Sequence, residues 1–281
     1  MLGALLAHEL VLLAVILGGC WIGARLARRQ RGGAPTSDAE DGSERLSDAI
    51  GFVGGTYGIL LGLLLVFAVG HFVDTRQASR DEAVTAAALF TAVNPYPAEN
   101  RDALRHSIVC FMRSAATDDW TAASVRDLTG SENTSAWMSR VQRQIEELPQ
   151  DQPAEATNHY LVTEEILDVS KYRQLMLLYA LPEIPMAIWV VVYVSAFVFL
   201  SLMVFHLGTR RKLARLAVVS TTLVLVAVIG ALVLLDAPYL GLGSALRPVA
   251  MDASLARLKD AYPEPTSVWD DCGRLAADEL G

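Results

Sequence analysis

Four stretches of the chain are apolar over membrane-spanning length, and the polar stretches between them carry helical period. The second stretch, Gly51 to Gly70, has Gly51, Gly55, Gly58 and Gly62 at spacings of four, three and four. That spacing sets four glycines on one helical face. In lipid no hydrophobic force drives helices together, so close backbone approach at small residues is a main source of association. The face formed by these glycines, flanked by Thr56 and Tyr57, is therefore read as a helix-packing or pore-lining surface. A span needs about 20 residues at about 1.5 Å each, and this run is long enough.

The same pattern divides the rest of the chain. Residues 1–27 read as a first transmembrane helix. Leu17-Gly-Gly-Cys20 has the look of a lipoprotein cleavage site, but a signal peptide carries positive charge before its apolar core. Here Glu9 precedes the core, and Arg25, Arg28, Arg29 and Arg31 follow it. Residues 28–49 read as a polar linker and 50–74 as the second span. The region 75–182 reads as an all-helical domain of helical hairpins. Its first helix continues from the second span without proline until Asn94-Pro-Tyr-Pro97. Later helices show inner faces at Leu104, Ile108, Phe111 and Ala115, at Trp137, Val141, Ile145 and Leu148, and at Val162, Ile166, Val169, Tyr172, Met176 and Tyr179.

Pro182 and Pro185 mark re-entry into a third span over 183–208. A basic turn at 209–212 leads to a fourth span over 213–236, and so short a connection makes the two spans antiparallel. Residues 237–281 read as a C-terminal tail. The fold class expected is an all-α membrane protein with four transmembrane helices and a helical-hairpin domain between spans two and three.

Charge then orients the pattern. The first and third connections are arginine-rich, and the positive-inside rule puts both in the cytoplasm. The helical domain and both termini are then outside a bacterial cytoplasmic membrane. Cys110 and Cys272 would share an oxidising compartment there, so a disulfide between them is open. The other reading has Cys110 as a small core residue and Cys272 as a free thiol. Net charge of −8 argues against a nucleic-acid surface. No run matches a zinc site, a phosphate-binding loop or a nucleophile elbow, so neither a metal, a cofactor nor an enzymatic reaction is expected.

Three polar residues stand at the outer mouth. His71 and Asp74 are three apart at the end of span two, where they could bind a cation or sense pH. Two ligands on one helix do not complete a metal site, so an ordinary interfacial role is the other reading. Asp236 ends span four. It is read either as part of an ion path or as a local anchor, holding the turn through backbone N–H groups or pairing an arginine such as Arg76 or Arg247.

Several runs together resemble a known family. They are Tyr57-Gly-Ile-Leu-Leu-Gly-Leu-Leu-Leu-Val-Phe67, Asp81-Glu-Ala83, the pair Asp119-Trp120, and Leu235-Asp-Ala-Pro-Tyr-Leu-Gly241 after the last span. In this order they resemble the bacterial bestrophin-like membrane proteins, whose pattern ends Leu-Asp-x-Pro-Phe-x-Gly. Tyr239 stands in place of the Phe, and Asp119 where similar members show Glu. The resemblance implies a protein related to chloride channels, which hold their large soluble part in the cytoplasm; the arginine clusters here place it outside. The expected function is an oligomeric ion-conducting protein, with the lipid bilayer, copies of itself and inorganic ions as partners. The alternative is a membrane-anchored sensor or scaffold whose helical domain binds a partner.

Overall fold

The computed structural model describes residues 2–30, 38–150, 152–207, 211–239 and 246–274, and no strand occurs among them. The helices are α1 (Leu2–Gln30), α2 (Asp38–Ala92), α3 (Ala98–Ser114), α4 (Trp120–Ser124), α5 (Glu132–Glu146), α6 (Pro153–Leu178), α7 (Met186–Leu207), α8 (Arg211–Asp236) and α9 (Val249–Ala261). A π-helical turn, Ala115–Asp119, joins α3 to α4, and a 3-10 turn, Thr266–Trp269, follows α9. Four of these helices, α1, α2, α7 and α8, are long and apolar enough to cross a membrane.

Proline and capping chemistry explain several boundaries. The Pro95 and Pro97 pair follows the end of α2, because a ring at nitrogen removes a helical donor. In α6, Pro153 takes the first helical position, and Gln152 and Glu155 form a reciprocal capping box. Pro185 and Pro248 stand just before α7 and α9.

Three sequence expectations need correction. Residues 38–49, assigned to a polar linker, belong to α2, which begins at Asp38; residues 31–37 lie outside the described residues. Secondly, α8 starts at Arg211, inside the run taken as a turn, while 208–210 lie outside the described residues. Thirdly, residues 237–281 are more than a tail. They include α9, and its Met251 and Leu258 are buried.

The chain forms two compact units. Unit 1 comprises residues 1–71 and 182–236. Its core gathers Tyr57, Leu61, Leu64 and Ala68 of α2 with Trp189, Val192, Ala196 and Leu200 of α7, and Leu225, Ile229 and Leu232 of α8. Against α7 also lies α1, through its glycines. A Cβ on Gly23 would stand 2.5 Å from the Ser201 carbonyl oxygen and 2.8 Å from Val204 Cβ. On Gly19 it would stand 3.2 Å from the Phe197 carbonyl oxygen. So the Gly19 to Gly23 spacing of four lets two backbones approach, the small-residue packing used between membrane helices.

Unit 2 comprises residues 72–181 and 237–281. Its core joins Ala83, Ala86, Leu89 and Phe90 of α2 to Leu104, Ile108 and Phe111 of α3, with Trp137, Val141 and Ile145 of α5. Val162, Ile166 and Val169 of α6 and Met251 and Leu258 of α9 complete it. Cys110 Sγ and Cys272 Sγ are bonded at 2.00 Å, tying α3 to the segment after α9.

Candidate functional site

On α2 the buried positions within unit 1 are Tyr57, Leu61, Leu64, Ala68 and His71, at alternating spacings of four and three. This is one face of a helix. The opposite face holds the glycines. A Cβ built on Gly51, Gly55, Gly58 or Gly62 meets no other atom within 4 Å. The glycine face is therefore empty within the subunit, and no span of the same chain packs on it among the described residues. Thr56 is exposed beside it. Tyr57 departs from the expected surface. It is turned inward, 4% exposed, with its ring 6.4 Å from that of Phe199. Within the subunit, close backbone approach is made by Gly19 and Gly23 of α1.

Of the three polar residues expected at an outer mouth, His71 and Asp236 come together and Asp74 stands apart. His71 is buried, with Nδ1 3.2 Å from Glu183 Oε2. Asp74 is exposed, in the first turn of unit 2. The two do not make a common ligand pair, and no cluster of metal-ligating side chains occurs among the described residues. Asp236 is buried at the end of α8, and its Oδ1 accepts backbone N–H groups of Glu183 and Ile184, both at 2.9 Å. This ties the end of α8 to the segment entering α7, so Asp236 serves as a local anchor. His71 and Asp236 thus meet at one corner of unit 1, around Glu183.

Unit 2 contains a polar centre that no spacing of residues along the chain marks. Asp119 is completely buried. It receives Arg173 Nε at 2.5 Å and Nη2 at 3.1 Å, a fork that suits a carboxylate. It also accepts the Ser131 backbone N–H at 2.7 Å. The π-helical turn ends at Asp119, and such turns recur at functional positions. Gly130 closes over the pair with φ +72°, and a Cβ there would lie 2.7 Å from Arg173 Nη2 and 3.0 Å from Asp119 Oδ1. Both backbone conformation and space demand glycine.

A second carboxyl stands nearby. Glu82 of α2 is 2% exposed, and its Oε1 has no hydrogen-bond partner among the described residues. Burial pushes its pKa from 4.5 up to about 8, the Asp119 charge adds to the rise, and Arg173 opposes it. At neutral pH Glu82 is thus held mainly as the neutral acid, since an unpaired charge in this interior is costly. Beside this centre, Tyr239 stands edge-on to Trp120 with ring centroids 5.1 Å apart. Its hydroxyl donates to the Met176 carbonyl oxygen at 3.5 Å. The Asp119-Trp120 pair and Tyr239, which lie far apart in sequence, therefore pack together.

Four helices long and apolar enough to cross a membrane, with a second unit that is also helical, define an all-helical membrane protein of several spans. The chain belongs to the bestrophin-like family: the model of the Bestrophin-like domain matches residues 10–246. No curated protein matches it. Among solved structures it is similar to a bacterial bestrophin homologue from Klebsiella pneumoniae, with TM-score 0.67 and 15% identity over 94% of this chain and 99% of that one. Two point variants of that homologue give similar agreement. One has TM-score 0.66 and 16% identity over 90% of this chain and 98% of that one; the other has 0.67 and 14% over 95% and 98%. Identity this low carries the fold and nothing finer.

Proposed function

We propose that the protein is the subunit of an oligomeric, ion-conducting assembly of the bacterial cytoplasmic membrane. The observation that carries this reading is the glycine face of α2, which no atom among the described residues covers. A face without side chains either admits a neighbouring helix at short distance or leaves room for a path along it. Membership of the bestrophin-like family supports conduction over other uses of that face.

The helical unit and both termini lie outside the cytoplasm in this reading. The arginine-rich first and third connections support it by the positive-inside rule. The Cys110–Cys272 bond supports it too, because disulfides persist in oxidising compartments such as the periplasm. A thiol-reactive probe that cannot cross the inner membrane, applied to whole cells after reduction, labels Cys110 and Cys272 under this orientation. Labelling only after lysis overturns it.

Conduction is tested by ion flux into liposomes carrying the purified protein, together with a subunit count in detergent. Absence of flux at every pH and voltage, or a monomer, removes the reading. Substituting Gly58 with Leu divides the two uses of the face. Loss of assembly identifies a helix contact, whereas intact assembly with reduced flux identifies the wall of a path.

A further inference from the structure

Unit 2 holds a cavity of about 590 Å³, within the range of small-molecule sites. Arg76 and Arg80 of α2 and Arg247 and Arg257, before and on α9, all line it. None of its described lining residues is acidic, and none of the four arginines makes an ion pair among the described residues. In a chain with net charge −8, such a concentration of unpaired cations opposes the overall balance. Like charges repel, so four guanidiniums around one space favour an anion between them.

Two further features narrow the chemistry. Val249 and Ala250, the first residues of α9, also line the cavity, and no side chain caps that helix. Uncapped N–H groups and the positive end of a thirteen-residue helix add to the attraction for an anion. The remaining wall is apolar and includes Phe72, Val84, Trp120 and Leu246. A halide ion fills little of this volume and has no use for an apolar wall. Guanidinium forks match the spaced oxygens of phosphate groups.

We propose that this cavity binds an organic phosphate, with its phosphate groups among the four arginines and its apolar portion against Trp120 and Phe72. The phosphate belongs either to a soluble ester or to an anionic phospholipid headgroup. The site is independent of the conduction reading, since its ligand is bound rather than passed.

The test uses the full-length protein in detergent, comparing it with the double variant R80Q/R257Q. Both substitutions are on exposed side chains, and a single monodisperse peak with unchanged melting confirms that the variant folds. Inorganic pyrophosphate is titrated calorimetrically, and phosphatidylglycerol retention is read by native mass spectrometry. The expected result is pyrophosphate binding that weakens by about tenfold or more in the variant, as loss of charge-assisted hydrogen bonds implies. Retention of phosphatidylglycerol by the unsubstituted protein alone, without pyrophosphate binding, assigns the lipid source. Equal behaviour of the two proteins toward both probes overturns the proposal. No flux measurement enters these readouts, so a failure of conduction leaves this site standing, and flux without binding removes this site alone.

Discussion

In unit 2 α2 encloses Leu89 and Phe90 almost wholly, whereas in unit 1 the same helix leaves Phe52, Ile59, Val66 and Phe67 more than half exposed. A single helix therefore obeys two regimes. In water, apolar surface of that size would be hidden, at about 25 cal/mol per Å². In lipid there is no such gain, because acyl chains are as apolar as leucine. Polar groups follow the same division. Unit 2 buries a paired Asp119 and Arg173 with a neutral Glu82, while the buried polar groups of unit 1 include His71, within α2, and Asp236, at the end of α8. Unit 2 is built to close, and unit 1 to be completed by its surroundings.

The strongest challenge to this contrast is Arg173→Met. Removing the cation leaves Asp119 buried without a counter-charge, next to a second carboxyl, and should cost about 3–5 kcal/mol. A denaturant melt of the full chain in detergent measures it, and a loss below about 1 kcal/mol would mean that unit 2 does not depend on the pair. Gly23→Ala comes next. Its methyl must displace the α7 backbone, so a cost of about 1–3 kcal/mol is expected in the same assay.

Glu82→Gln tests the neutral carboxyl through pH. With its pKa raised from 4.5 to about 8, Glu82 binds a proton in the folded state that the unfolded chain has released. Its stabilising contribution is full below about 4.5 and is lost as pH rises through about 8. Melting temperature should fall over that window in the unsubstituted protein and fall less in the variant. Identical pH profiles would show that Glu82 is ionised in the fold. The smallest effect is expected from Gly58→Ala, whose methyl meets nothing among the described residues of the subunit. Monomer stability should stay level or rise by up to about 0.5–1 kcal/mol, from helix propensity alone. A destabilised monomer would mean that unit 1 closes over this face after all.

Local pattern made much of this architecture legible. Apolar runs long enough to span lipid announce four helices, and the expected inner positions of α3, α5 and α6 are buried except Tyr172, which is half-buried, as is Tyr179 just past α6; α3 also buries Arg105, Val109, Cys110 and Met112, outside its expected stripe. Family membership was legible as well, from short runs in the right order, and the matching domain covers residues 10–246. What escaped was non-local or weakly patterned. Asp119 and Arg173 lie 54 residues apart, and neither carries a mark of its partner. Glu82 looks like any acidic residue on an emerging helix until its surroundings are known. Helix α9 buries only Met251 and Leu258, too sparse a stripe to separate it from a polar tail. The four-glycine stripe of α2 stands out in the sequence more than Gly19 and Gly23 of α1, yet among the described residues it is the α1 pair, not the stripe, that meets a neighbouring span. Composition identifies a surface suited to close approach, while the neighbour is a matter of tertiary arrangement.

The Cys110–Cys272 bond has a consequence for the chain as a covalent object. The two residues are separated by 162 positions, so the bond turns that stretch into a ring that threads the bilayer through α7 and α8. Any single cut between them, in the α5–α6 connection or between α8 and α9, leaves one molecule rather than two. Such a nick becomes visible as two fragments only after reduction.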